Sequence, residues 1–170
     1  MATYFITESY LKSQTPITAN VDVTDVTPFI KTQSEMRVQP ILGTYFYDII
    51  LAKYNAQTLT ANEEILVSKI QPLIAWRSAE DAVFNLTYQL KNKGLQKQDG
   101  DNSTSVSPDE MAFGMKMYSQ KAAFYEQRLF KYLEDNRDLF ADFTSKSNTD
   151  SDIKPLDTGG GGYLENIMII

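Results

Sequence analysis

The side chains with chemistry to offer in this chain are carboxylates. Glu63, Glu64, Glu80, Asp81, Glu134 and Asp135 are close enough in sequence to suggest a shared metal ion or an acid–base pair. Neighbours on one helix face are three or four residues apart, so the adjacent acids Glu80-Asp81 and Glu134-Asp135 diverge, whereas a divalent cation needs several oxygens converging on one point. A solvated helix face accounts for them better than a metal-dependent active site. Asp99, Asp101 and Ser103 alternate as in a calcium loop, yet the closing bidentate glutamate would have to be Glu110, inside the first turn of the next helix, so no calcium is expected. The chain has no histidine, which leaves acid–base work to a strongly shifted carboxylate or lysine. It has no cysteine, which removes thiolate nucleophiles, disulfides and Cys/His zinc sites. The expectation is a protein that is not an enzyme, with no catalytic residue, no cofactor and no metal.

The elements that carry these residues read as helices. Thr27-Pro28 looks like a cap with proline at the first helical position. Val26, Ile30, Val38, Ile41 and Leu42 approximate one face of a 3.6-residue repeat, with Met36 beside them. Pro40 threatens that helix, and Pro40, Leu42 and Gly43 form a structural joint, with Gly43 as a left-handed cap. A second helix restarts at once with Thr44 as its cap and Tyr45, Phe46, Ile49 and Ile50 on its face. Thr60 to Glu63 is a capping box opening a third helix that runs to about Asn92, with Pro72 inside it as a kink or split and Gly94 as its stop. Trp76, just beyond Pro72, reads as core or groove packing. A mobile loop is expected over 94–107. Ser107, Pro108 and Glu110 then open a long helix with cap, proline and capping box together. Met111, Met115, Tyr118, Ala122, Tyr125, Leu129 and Tyr132 make a heptad seam on it. Phe113, Met117, Phe124 and Phe130 lie on neighbouring lines, more apolar surface than one partner helix needs.

The predicted fold class is mainly α: a bundle of about four helices with an extended N-terminal arm and a strand-like C-terminal tail. Residues 1–24 are the arm, where Thr7 caps a helical turn through Leu11; the arm either folds over its own bundle or lies on a neighbouring subunit, with Phe5 and Ile6 as candidate contacts to a partner in the second case. Residues 25–143 are the helical domain, 144–162 a flexible linker ending in four glycines, and 163–170 an apolar interaction segment. In that segment Tyr163, Leu164, Ile167, Met168, Ile169 and Ile170 combine high strand propensity with little charge, so a covering surface is needed, on a neighbouring subunit by preference.

With 170 residues and 42% hydrophobic content, one domain with a real core is expected. The net charge of −6, with basic residues scattered, argues against sequence-specific nucleic-acid binding. The N-terminus has no secretion-signal pattern, and no apolar run is long enough for a membrane span. The run VTPFIKTQSEMRVQPILGTYFYDIILAKY, with ITESYLK, TPI and NVDV before it, resembles the head-to-tail connector (adaptor, or ring) proteins of tailed bacteriophages. It is most similar to the variant of crAss-like and related Bacteroides-type phages. The resemblance covers roughly the first ninety residues and rests on structural motifs. It implies a portal-associated ring subunit at the portal vertex of a virion, assembled in the host cytoplasm. Its partners would be copies of itself in a dodecameric ring, the portal protein, and further tail or ring proteins. DNA would only pass through the channel, and no membrane is involved. The alternative is a non-viral helical adaptor or scaffold docking through its C-terminal tail.

Overall fold

The computed structural model describes residues 4–17, 21–91, 94–97 and 107–153 of a mainly helical chain. In order these form α1 (Glu8–Gln14), α2 (Val23–Gln33), a π-helical turn (Ser34–Val38), α3 (Gln39–Leu42), α4 (Thr44–Ala56) and α5 (Ala61–Thr87). Two short strands follow, β1 (Tyr88–Lys91) and β2 (Gly94–Lys97), then α6 (Pro108–Asp135), a 3-10 turn (Arg137–Leu139) and α7 (Ala141–Thr144).

Local capping sets most of the starts. Thr7 accepts from the Tyr10 N–H at 3.2 Å and opens α1, which runs three residues past the expected Leu11. Thr60 and Glu63 exchange hydrogen bonds at the head of α5, and Ser107 and Glu110 do the same at α6. The expected start of α2 needs correction. Asp22 captures the Thr24 N–H at 2.9 Å, so the helix begins at Val23 and Pro28 lies inside it. A carboxylate both caps the free N–H groups and meets the positive end of the helix dipole, and here it acts one turn earlier than Thr27-Pro28.

Pro40 does not end the helix on its own. The π turn before it adds a residue, with the Gln39 N–H reaching back to the Ser34 carbonyl, and the missing N–H of Pro40 is absorbed at that irregularity. The break comes at Gly43, where φ is +78° as a glycine stop requires, although ψ is 145° and so extended, unlike a left-handed helical cap. Pro72 is likewise contained within an unbroken α5.

The core is built on the long pair α5 and α6, with α2 packed against α5. Leu66, Ile70, Leu73 and Ile74 meet Ala122, Leu129 and Leu133, and Val26, Ile30, Phe46, Ile50, Phe140 and Phe143 close the remaining sides. Each of the large side chains among them contributes about 1.5–3 kcal/mol on burial. Arg77 of α5, 12% exposed, ties the pair by hydrogen bonds to Ser119 (3.1 Å) and Glu126 (3.1 Å) of α6, and is held by Glu80 (3.0 Å) on its own helix.

Three further expectations are corrected. Phe5 and Ile6 are not free for a partner: of the two readings of the arm, its described part takes the one that folds onto its own bundle, with Phe5 and Ile6 buried at 0% and 2% exposure. Positive φ (62°) at Phe5 folds the chain inward, its ring packs on Tyr47 and Tyr54, and its carbonyl accepts from Gln71 Nε2 at 2.8 Å. The third helix stops at Thr87, and Gly94–Lys97 pairs antiparallel with Tyr88–Lys91 in place of loop, with Leu90 opposite Leu95. YQLK alternates apolar and polar residues with a period of two, which suits a ladder better than another helical turn. The linker expected over 144–162 is packed in its first part, since Asn148 is fully buried. Residues 154–162, and the apolar segment 163–170 with Tyr163, Leu164, Ile167, Met168, Ile169 and Ile170, lie outside the described residues.

Candidate functional site

The joint between α3 and α4 is held from far along the chain. Once α3 ends, the Leu42 and Ile41 carbonyls and the Thr44 N–H have no helical partner, as at any helix end. Asn148 Nδ2 donates to the Leu42 carbonyl at 2.8 Å and to the Phe143 carbonyl at 3.0 Å. Asp150 accepts from the Thr44 N–H at 2.8 Å and from its hydroxyl at 2.5 Å, so the start of α4 is capped by a residue 106 positions later. Those two bonds, the hydroxyl's first, hold the Asp150 carboxyl below the usual aspartate range. Ser151 Oγ donates to the Ile41 carbonyl at 2.7 Å, and the Asp152 N–H to the Pro40 carbonyl at 2.8 Å. Of the three joint residues, Leu42 is buried in the core, Pro40 supplies an accepting carbonyl, and Gly43 faces Asn148.

The second feature is the outward face of α6. Its core side carries Ala122, Leu129 and Leu133, with Met111, Met115, Tyr118, Tyr125 and Tyr132 partly buried, so the heptad seam does face the bundle. On the opposite side Phe113, Met117 and Phe124 are 67%, 41% and 53% exposed. Phe130, by contrast, packs against the core. Beside the exposed strip lies a shallow concavity of about 360 Å³ lined by Trp76, Met117, Gln120, Lys121, Phe124 and Tyr125. Lys121 Nζ sits 4.0 Å from the centre of the Trp76 ring, whose other neighbour is Tyr118, and the Arg128 guanidinium lies 5.6 Å from that of Phe124. Cations over aromatic faces gain about 0.5–1 kcal/mol at exposed sites, so the strip combines grease with ordered positive charge.

The carboxylates do not come together. Glu63 takes Lys53 and Thr60, Glu80 takes Arg77, Asp81 takes Gln33 and Asp135 takes Lys131. Glu134 is exposed on α6 and Glu64 on α5. Glu110 is engaged by Ser107 through its backbone N–H and hydroxyl, and those bonds lower its pKa; Asp99, Asp101 and Ser103 are outside the described residues. Among the described residues no group of three or more acids could hold a metal ion, and no helix is long and apolar enough to cross a membrane. What the arrangement offers is contact: a fixed corner and an unpaired apolar strip.

The surplus lines on α6 are visible in the sequence. Asn148, Asp150 and Ser151 are not, because no periodicity marks three polar residues that act a hundred positions away. Lys121 and Arg128 carry no sequence signal either, since their role depends on the rings beneath them.

No curated protein and no solved structure matches the chain. One family model does, over residues 38–153, and its described function is unknown. The matched span begins in the π turn and ends one residue beyond the Asn148–Asp152 clasp, so the joint and its distant fastening both lie inside it. By that match the chain belongs to the family of unknown function DUF6712.

Proposed function

We propose that the protein is a structural subunit of a bacteriophage head-to-tail connector ring, bridging portal and tail and forming part of the DNA channel. It acts by shape and contact, without catalysis, cofactor or metal. A dodecameric homo-oligomer would sit between the portal protein and further tail or ring proteins in the virion neck, after assembly in the host cytoplasm. The observation that carries this reading is the exposed strip of Phe113, Met117 and Phe124 on a helix whose other side already fills the core. A solitary protomer leaves that strip in water, and apolar patches of this kind mark interaction surfaces. The connector resemblance of the first ninety residues supports the same assignment. The net charge of −6 suits a channel that passes DNA without holding it. In this reading the finer architecture is a helical bundle whose tail from Tyr163 to Ile170 adds a strand to a neighbour, with DNA only passing non-specifically through the channel and no membrane as partner.

The test is to mix the purified protein with its cognate portal protein and image the product. A closed ring seated on the portal is expected. A portal that stays bare under excess protein would overturn the assignment and favour a non-viral helical adaptor docking through its tail.

A further inference from the structure

Two surfaces of the protein have opposite charge and exposed apolar side chains. Between Met111 and Lys131, α6 carries Lys116, Lys121, Arg128 and Lys131 against the single acid Glu126, and Glu126 is spent on Arg77. Phe113, Met117 and Phe124 run through the middle of those cations. At the far end of α6 the balance reverses. Glu134, Asp135, Asp138, Asp142, Asp150 and Asp152 face only Arg137 and Lys146 in the same stretch of chain. The 3-10 turn there leaves Leu139 51% exposed, and Tyr45, next to the Asp150-capped Thr44, is 40% exposed.

We infer that the outward face of α6 is the docking surface for the acidic end of a second copy of this chain, so that copies join head to tail. Charge complementarity selects the occupant. A chain of net charge −6 repels its own copies over most of its surface, and this strip is where positive charge is concentrated on an apolar ground. The cations are already ordered, Lys121 over Trp76 and Arg128 over Phe124, so little side-chain freedom is lost on contact. Lys131 and Asp135 pair within one copy at 3.3 Å while 78% and 57% exposed, an ion pair weak enough to exchange for one across the contact. Leu139 would seat against Phe124 and Met117. The head-to-tail sense rests on the ring proposed above, because a contact between two different patches propagates and closes only as a ring.

The absence of cysteine makes cross-linking a clean test. Phe124→Cys and Leu139→Cys proteins are mixed at low salt and oxidised with diamide. The mixed disulfide should exceed both symmetric ones, and the chain carrying both substitutions should give a ladder of multimers. Adding Lys121→Glu and Arg128→Glu to the first protein should cut the yield about tenfold, and Asp138→Lys with Asp142→Lys on the second should restore it. A dominant Phe124→Cys symmetric dimer, equal yields of all three disulfides, no disulfide, or a doubly bridged closed dimer would each overturn the inference. Rings on the portal whose subunits lack this disulfide would keep the proposed function and sink this contact; the disulfide without rings would do the reverse.

Discussion

At Gly43 two constraints fall on one atom that is not there. Its φ of +78° with extended ψ is open to glycine and strained for any other residue, and a Cβ built on it would stand 2.0 Å from Asn148 Oδ1. Gly43→Ala is therefore expected to destabilise the protein by about 1–3 kcal/mol from the backbone alone, with a further loss from pushing Asn148 off its two carbonyls. Asn148→Ala should cost about 1–3 kcal/mol, because the Leu42 and Phe143 carbonyls lose their donor in a dry interior. The two substitutions together should cost less than their sum, since removing the amide also removes the clash. Urea unfolding of the four proteins in the cycle reads this directly, and strict additivity would show that the methyl never reaches Asn148.

Helices α5 and α6 are started by the same device, but only the one at α5 is buried. Burial by itself would raise the pKa of Glu63; the Lys53 ammonium at 2.6 Å and the Thr60 N–H and hydroxyl outweigh it and hold the carboxyl below the ordinary glutamate range. A carboxyl whose folded pKa is depressed contributes stability that is fully present above its unfolded pKa and disappears as pH falls through the folded one. Glu63→Gln should thus be about 1 kcal/mol less stable than the native chain at neutral pH, and the gap should close as pH drops below about 4. Chemical unfolding at neutral pH and at acid pH checks it; a constant gap would mean that the charge of Glu63 is irrelevant. This cap also marks what is legible in the sequence. Thr7, Thr60 and Ser107 act within three residues of themselves, so their helices can be read from spacing. So can the apolar lines of α6. The start of α2 is misread because Asp22 and Thr27 both offer caps and nothing local ranks them. The π turn escapes for a different reason: the apolar stripe through Val26, Ile30, Val38, Ile41 and Leu42 is only approximate, and the turn of about 100° that one added residue introduces falls within its scatter. Arg77 bridges to Ser119 and Glu126 across 42 and 49 positions, a separation over which no periodicity speaks.

For the molecule as a whole, the described fold is closed by the stretch of chain that ends at Ile153. Up to that residue the chain is engaged: Asn148, Asp150, Ser151 and Asp152 all make hydrogen bonds to the α3–α4 joint, and Ile153 packs against the core. A chain ended after Thr144 loses all of these while keeping α7. At about 0.5–1.5 kcal/mol for each bond, less the ordering of the segment that makes them, the loss should be about 3 kcal/mol. That is a fall of about 6–12 °C in unfolding temperature for a domain of this size. A chain ended after Ile153 keeps every one of those contacts and should melt with the native protein, yet it should fail to form rings on the portal, because it lacks the strand from Tyr163 to Ile170 that the proposed function gives to a neighbour. Calorimetry and imaging of the two shortened chains separate the roles. If the chain ending at Ile153 melts as low as the one ending at Thr144, the last seventeen residues serve their own protomer's stability, and the tail is not the part that reaches across.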